Sequence, residues 1–157
     1  LNHKNLNSNH CYLENGKFKK NVIKISLEKS SNSHYVQDKK LPLNFRNKLR
    51  FNWVKNFYKG LRGNHLVVYK KKFVAGFLLL IKKKENLIID LIVTKRSQIK
   101  KGIGKSLINF VCSNFSNKKK FILAGTQSNN YAAFKFYKKI GFKKTNKEYY
   151  IYHVLMK

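Results

Sequence analysis

The segment Lys100-Lys101-Gly102-Ile103-Gly104-Lys105-Ser106-Leu107-Ile108 decides how this chain is read. It follows an apolar, strand-like run from Leu87 to Thr94. It opens a helical pattern carried by Ile103, Leu107, Ile108 and Val111. Glycines without Cβ atoms let a ligand approach the backbone, and the first N–H groups of a helix carry positive partial charge. Strand, Gly-x-Gly, helix is therefore an anion cradle in outline. Two nucleotide motifs fail on it. A P-loop needs a glycine five residues before Gly104, where Ile99 stands, and a dinucleotide fingerprint needs one three residues after, where Leu107 stands. A diphosphate-binding turn of another kind and an ordinary glycine turn both stay open from this segment alone.

The 157 residues suffice for one domain with a real core, and 43% hydrophobic and 14% aromatic content is that of a globular chain. The longest apolar run, Phe73 to Ile81, is strand-sized and too short to span a membrane. Cys11 and Cys112 follow no metal or disulfide spacing, so no metal is expected and the cysteine usage fits a reducing cytoplasm. No targeting segment is visible. The chain starts at Leu1 and Met156 is its only methionine, so we expect residues before Leu1. The net charge of +29 would ordinarily direct attention to nucleic acid. Yet the cations are almost all Lys, with Arg only at 46, 50, 62 and 96, and the Lys residues are scattered. Lys, Asn, Ile, Phe and Tyr share A/T-rich codons, which explains their abundance without a polyanion partner. A dedicated nucleic-acid reader would favour Arg.

Along the chain, residues 1–17 are polar and expected to be poorly ordered, with the domain at 18–157. Val22, Ile23, Ile25 and Leu27 suggest a strand, and Ser30 to Lys40 a loop. Pro42 opens a helix through Phe45, Leu49, Trp53, Val54 and Phe57, closed by Gly60 and Gly63. His65–Tyr69 and Phe73–Ile81 form a hairpin across Lys70-Lys71-Lys72. A strand at Leu87–Thr94, a helix from Gly102 to about Asn114 and a short strand at Phe121–Ala124 follow. A helix over Asn130–Ile140, with Ala132, Ala133, Phe136, Tyr137 and Ile140 inward, is stopped by Gly141. Tyr149–Leu155 forms the last strand.

Downstream of the glycine turn lies Asn130-Tyr131-Ala132-Ala133-Phe134-Lys135-Phe136-Tyr137-Lys138-Lys139-Ile140-Gly141-Phe142. With the glycine turn before it and one strand between, this Asn-x-x-Ala-x-x-x-Tyr-x-x-x-Gly-Phe segment resembles the GNAT N-acetyltransferase superfamily from about Leu66 to the C-terminus. Ser33-His34-Tyr35, Asp38, the Trp53 helix, Gly125-Thr126-Gln127 and Tyr152-His153 are similar to its sugar-nucleotide branch of the dTDP-fucosamine type. Those enzymes acetylate a 4-amino group on a deoxysugar carried by dTDP. The pattern departs at Ile99, where the superfamily usually has Arg or Gln; Gln98 stands one step earlier.

The resemblance implies an α+β acyl-CoA N-acyltransferase fold, a mixed and mostly antiparallel twisted sheet flanked by helices. It implies acetyl-CoA as cosubstrate and a primary amine as acceptor, favourably a nucleotide-linked amino sugar, in a cytoplasmic enzyme that could pair as a homodimer. Cofactor contacts fall to Ile92, Thr94, Ile99, Lys100, Lys101, Gly102, Ile103, Gly104, Lys105, Ser106, Asn130 and Tyr137. A backbone N–H near Ile92 or Val93 would face the oxyanion. Tyr137 would protonate the leaving thiolate, unless it is a half-buried packing aromatic. Asp90 is the candidate base, with a structural carboxylate as the equal alternative; His153 is the other candidate for that role. Asn130 serves as cofactor ligand or helix N-cap. Thr126, Gln127, His153, His34 and Asp38 would line the acceptor pocket. Gly104→Val is expected to fill the diphosphate's space. The other acceptors in view are a protein N-terminus, a lysine or a polyamine, the last disfavoured by charge. A basic RNA-associated protein that keeps the fold without turnover is the reading from another class.

Overall fold

Apolar residues in runs too short for helices and rich in Val, Ile and Leu pair into the central sheet. The computed structural model describes residues 9–28, 41–63, 65–115 and 121–146. In chain order it has β1 (Cys11–Leu13), α1 (Lys19–Ser26), α2 (Leu43–Tyr58), β2 (His65–Lys70), β3 (Val74–Lys83), β4 (Asn86–Thr94), a single 3-10 turn (Arg96–Gln98), α3 (Ile103–Phe115), β5 (Phe121–Ala124) and α4 (Tyr131–Lys139). The strands lie in the order β1-β2-β3-β4-β5. β1 to β4 pair antiparallel and β5 joins β4 in parallel, so the sheet is mixed and the molecule α+β.

The sheet is buried on both faces. On one, Leu78, Leu80, Leu87 and Ile89 meet Ile103, Leu107, Ile108 and Val111 of α3. On the other, Leu66, Val68, Phe77 and Leu79 meet Val22 and Ile25 of α1 and Val54 and Phe57 of α2. Phe77, Leu78, Leu79 and Leu80 are 0% exposed, which explains why β3 reads as an unbroken apolar run. Each such side chain contributes about 1.5–3 kcal/mol by leaving water.

Two N-terminal expectations are corrected. Residues Val22 to Leu27 lie in and just past a helix rather than a strand. The buried positions are Val22, Ile25 and Ser26, three and four apart, and packing on α2 overrides the strand preference of Val and Ile. Arg50 Nη1 donates to the carbonyls of Ser26 and Glu28, satisfying the end of α1 from a distant element. Within the stretch expected to be disordered, Cys11–Leu13 adds an edge strand to β2, with Cys11 opposite Tyr69. The helix after Pro42, the hairpin and the strand at 121–124 form where the pattern places them. The expected loop at 30–40 and the last strand at 149–155 lie outside the described residues.

Candidate active site

Along most of β4 the side chains alternate between the two faces, and the alternation breaks at Asp90. Leu79 pairs with Leu91 and Leu80 with Ile89, so Asp90 is the extra residue of a β-bulge. Leu87 and Ile89 face the α3 core, but beyond the bulge Ile92 does so while Leu91 and Val93 turn to the α1 and α2 core. The parallel pairing with β5 stops at the same level, at Ile89 and Ala124. From there β4 runs on to Thr94 without a partner on that side among the described residues. The two strands separate, leaving a main-chain edge that can pair with an extended amide-bearing arm.

The glycine turn stands at the end of that edge. Lys100 has φ +65° and Gly102 φ +77°, both left-handed, so the chain reverses sharply into α3. Lys100, Lys101, Gly102 and Lys105 are exposed, as is Ile99 at 55%, while Ile103 is buried and anchors the helix start. First-turn N–H groups of α3 have no acceptor within the helix, and three lysines surround them. Ser106 lies less free than the motif suggests: its Oγ donates to the Gly102 carbonyl at 3.3 Å. Thr94 pairs with Gly76, and the Lys95 N–H donates to the Ala75 carbonyl at 2.8 Å, which ties the loop to β3.

Gly104 corrects an expectation. A Cβ there would meet Phe136 Cζ at 2.9 Å and Cε2 at 3.1 Å, whereas one at Gly102 would meet nothing within 4 Å. Gly104 therefore lets the Phe136 ring of α4 close against α3; the open side of the turn belongs to Gly102. Asn130 caps α4, its Oδ1 accepting from the Ala133 N–H at 3.2 Å. Two turns on from the cap, Tyr137 packs with Phe136 and Phe142 at centroid distances of 5.2 and 5.1 Å. It joins the same cluster as Ile92 and Ala124, the residues that border the strand separation. Burial pushes its hydroxyl up to about 12, so the phenol keeps its proton at neutral pH. On the expected inner side of α4, Phe136, Tyr137 and Ile140 pack on the core, but Ala132 is exposed.

Asp90 has partners that sequence reasoning missed. Its Oδ2 accepts from Trp53 Nε1 and from Arg62 Nε, and its Oδ1 accepts from Arg62 Nη2 at 2.9 Å. The Arg62 guanidinium lies 5.2 Å from the Trp53 ring centroid. The one local signal was a carboxylate set inside the apolar run Leu-Ile-Ile-Asp-Leu-Ile-Val, where a regular strand has no place for it. Thr126 is exposed and Gln127 half-buried just past β5, and the Gln127 carbonyl accepts from the Asn130 N–H. His34, Asp38 and His153 lie outside the described residues. A cavity of about 460 Å³ opens at the other side of the β4 end, lined by Glu28, Lys95, Arg96 and Ser97.

A family model described as an acetyltransferase (GNAT) domain matches residues 49–156, which hold β2 to β5 and the glycine turn. The chain belongs to the GNAT acetyltransferase family. Among curated proteins it is 26% identical over 134 residues to the spore coat polysaccharide biosynthesis protein SpsD of Bacillus subtilis (strain 168), covering 85% of the chain and 46% of that protein. The chain thus spans about half the length of the curated relative it matches. Among solved structures it shares the fold of a possible acetyltransferase from Clostridium difficile 630, with TM-score 0.69, 15% identity, and coverage of 93% of this chain and 97% of that one. It also shares that of AAC(6')-Iy in complex with a bisubstrate analog, CoA-S-monomethyl-acetylneamine, with TM-score 0.65, 13% identity, and coverage of 92% and 97%. The cosubstrate expected of an acetyltransferase (GNAT) domain is acetyl-CoA. Its demands fit the residues present: an open strand edge for the amide arm, an exposed turn rich in lysine for the diphosphate, and no carboxylate from residue 91 to 107. Among the described residues no helix is long and apolar enough to cross a membrane.

Proposed function

We propose that this GNAT domain transfers acetyl from acetyl-CoA to the primary amine of a nucleotide-linked amino sugar. The separation of β4 from β5 at the Asp90 bulge, beside the exposed glycine turn, carries the reading. It offers unpaired main-chain groups and an anion cradle in one line. Bound acetyl-CoA supplies an activated thioester. In this reading the free β4 edge from Ile92 to Thr94 holds the amide arm, and a backbone N–H near Ile92 or Val93 faces the carbonyl oxygen as it gains charge. Gly102, Ile103, Gly104 and Lys105 offer N–H groups to the diphosphate, and Lys100, Lys101 and Lys105 offset its charge. Tyr137 holds its proton and gives it to the departing sulfur. We assign Asp90 to fixing the bulge. Three hydrogen bonds from Trp53 and Arg62 leave one lone pair on Oδ1, so the amine's proton passes to water at the cavity mouth.

The acceptor enters by the cavity at Glu28, Lys95, Arg96 and Ser97, on the side of the sheet that carries α1. Lys95 and Arg96 suit a sugar diphosphate. Glu28 is turned toward the cavity wall, its Oε2 accepting from the Arg96 N–H at 2.7 Å. Likeness to a polysaccharide biosynthesis protein over 85% of the chain supports a sugar acceptor over a peptide. Release of free thiol from acetyl-CoA, measured across dTDP-linked 4-amino sugars, peptides with free N-termini and spermidine, tests this. The nucleotide sugar should turn over fastest; a peptide preferred by tenfold or more would reassign the acceptor.

A further inference from the structure

A/T-rich codons account for how many lysines the chain carries. They do not account for where those lysines converge on rings. At the start of α1, Lys17 Nζ lies 5.7 Å from the Phe18 ring centroid, and Lys70 Nζ, from the end of β2, lies 5.8 Å from the same ring. Lys19 Nζ lies 5.4 Å from the ring centroid of Tyr58, at the end of α2. Lys70 leads into the β2–β3 turn, where Lys71, Lys72 and Phe73 are all exposed. Lys95 Nζ closes the row, 4.8 Å from the Phe73 ring centroid. Tyr12 of the edge strand β1, opposite Val68, is 50% exposed, and Phe73 is 47% exposed. Lysines and rings thus alternate along one border of the molecule. The row is held in place. Glu14 Oε1 accepts from the Phe18 N–H at 2.7 Å and from the Tyr58 hydroxyl at 3.2 Å, so the one carboxylate among these residues fixes two of the rings. The Lys95 N–H donates to the Ala75 carbonyl at 2.8 Å, which ties the far end of the row to β3.

Three partners fit this row poorly. A second copy of the chain brings another charge of +29 and is repelled. A lipid surface needs apolar side chains that project together, and here each ring stands among lysines. An acidic peptide uses the cations and leaves the rings idle. A single strand of nucleic acid uses both. Its phosphates draw the ammonium groups, and a ring face that a lysine leaves is open to a flat base. We propose that the row from Lys17 to Phe73 binds single-stranded nucleic acid, with Lys17, Lys70, Lys71 and Lys72 on phosphates and the Phe73 and Tyr12 rings against bases. No arginine stands in this row, so phosphate and stacking carry the binding and base identity is not read. The site is separate from the acetyltransferase reading. Most of it lies on the β1–β2 border of the sheet, away from the parting of β4 and β5.

Fluorescence anisotropy with a labelled oligouridylate of about 12 nucleotides tests this. The native chain should bind it at about 50 mM salt and lose at least about tenfold in affinity by about 200 mM. The triple variant Lys17→Gln, Lys70→Gln, Lys72→Gln should bind about tenfold or more weakly, with a log–log salt slope shallower by about 2. A control of equal charge, Lys138→Gln, Lys139→Gln, Lys143→Gln, should lose no more than about threefold. Phe73→Ala should weaken binding about fivefold or more and keep the native slope, since it removes a stacking surface and no charge. Urea midpoints matching that of the native chain establish that these variants fold. Equal losses in the two triple variants overturn the proposal, because the charge then acts without a site. Unchanged affinity in Phe73→Ala overturns it as well, and so does tighter binding to polyglutamate or to vesicles of anionic lipid. Displacement of the oligonucleotide by saturating coenzyme A gives the row to the cosubstrate and overturns it, leaving the enzyme reading intact. Absence of binding at low salt ends it outright.

Discussion

Gly102 and Gly104 look alike in sequence and differ in what their missing Cβ permits. Gly104→Ala pushes a methyl into the Phe136 ring at 2.9 Å, so it should cost about 1–3 kcal/mol in a urea titration by loosening α4 from α3. Gly102→Ala meets no atom but must hold φ +77°, which costs about 1–2 kcal/mol. The two separate in coenzyme A affinity per unit of stability lost: Gly102→Ala should weaken binding, because its new methyl projects from the open face of the turn. Tyr137 offers the second residue-scale test. Tyr137→Phe should lower kcat about 100-fold with little change in the Kd for acetyl-CoA. Because burial pushes the hydroxyl up to about 12, the native enzyme should show no loss of kcat from this group as pH rises from 7 to about 10. An unchanged kcat in the phenylalanine variant would make Tyr137 a packing residue.

At the scale of elements the proposed function turns on β4, whose pairing with β5 ends at Ile89. A regular β4 would keep one face toward α3 throughout; the bulge at Asp90 inverts it at the level where the pairing with β5 ends. Arg62 and Trp53 hold the bulge residue from α2 and the loop after it, the guanidinium half-exposed at 48% and the carboxylate covered at 9%. Asp90→Asn keeps the shape but breaks the charged pair. It should cost about 1–3 kcal/mol in stability and leave the pH profile of kcat/KM unchanged in form. Loss of a limb from that profile would restore Asp90 as the base. None of this pairing was legible in the chain, because Trp53, Arg62 and Asp90 are far apart in sequence and only the packing of α2 on the sheet brings them together.

At the scale of the whole molecule, several acids are buried neutral. Burial pushes the Cys11 thiol up to about 11, holds Cys112 above its usual value, and raises Tyr137 and Tyr58, the last beside Glu14. In the unfolded chain these groups ionise from about pH 8.5 for Cys and about 10 for Tyr. Above those values the unfolded state binds fewer protons than the folded one, so stability is full below about pH 8 and falls as pH climbs toward the folded values. Urea midpoints should therefore drop between pH 7.5 and 10. A midpoint that rises over that interval would contradict the burial of these groups.

The chain by itself determined the family, the glycine turn, the capped α4 and the order of elements from Pro42 to Ile140. All of these are written in local spacing: helical and strand periods, a proline at a helix start, glycines where φ must be positive, an asparagine that caps. Tertiary structure alone decided the rest. It made Val22–Ser26 a helix by packing on α2 and recruited Cys11–Leu13 as an edge strand. It turned Gly104 toward Phe136 and clamped Asp90 through Arg62. Each of those outcomes depends on a group far away in sequence whose approach costs chain entropy, and no local pattern encodes which partner will repay it.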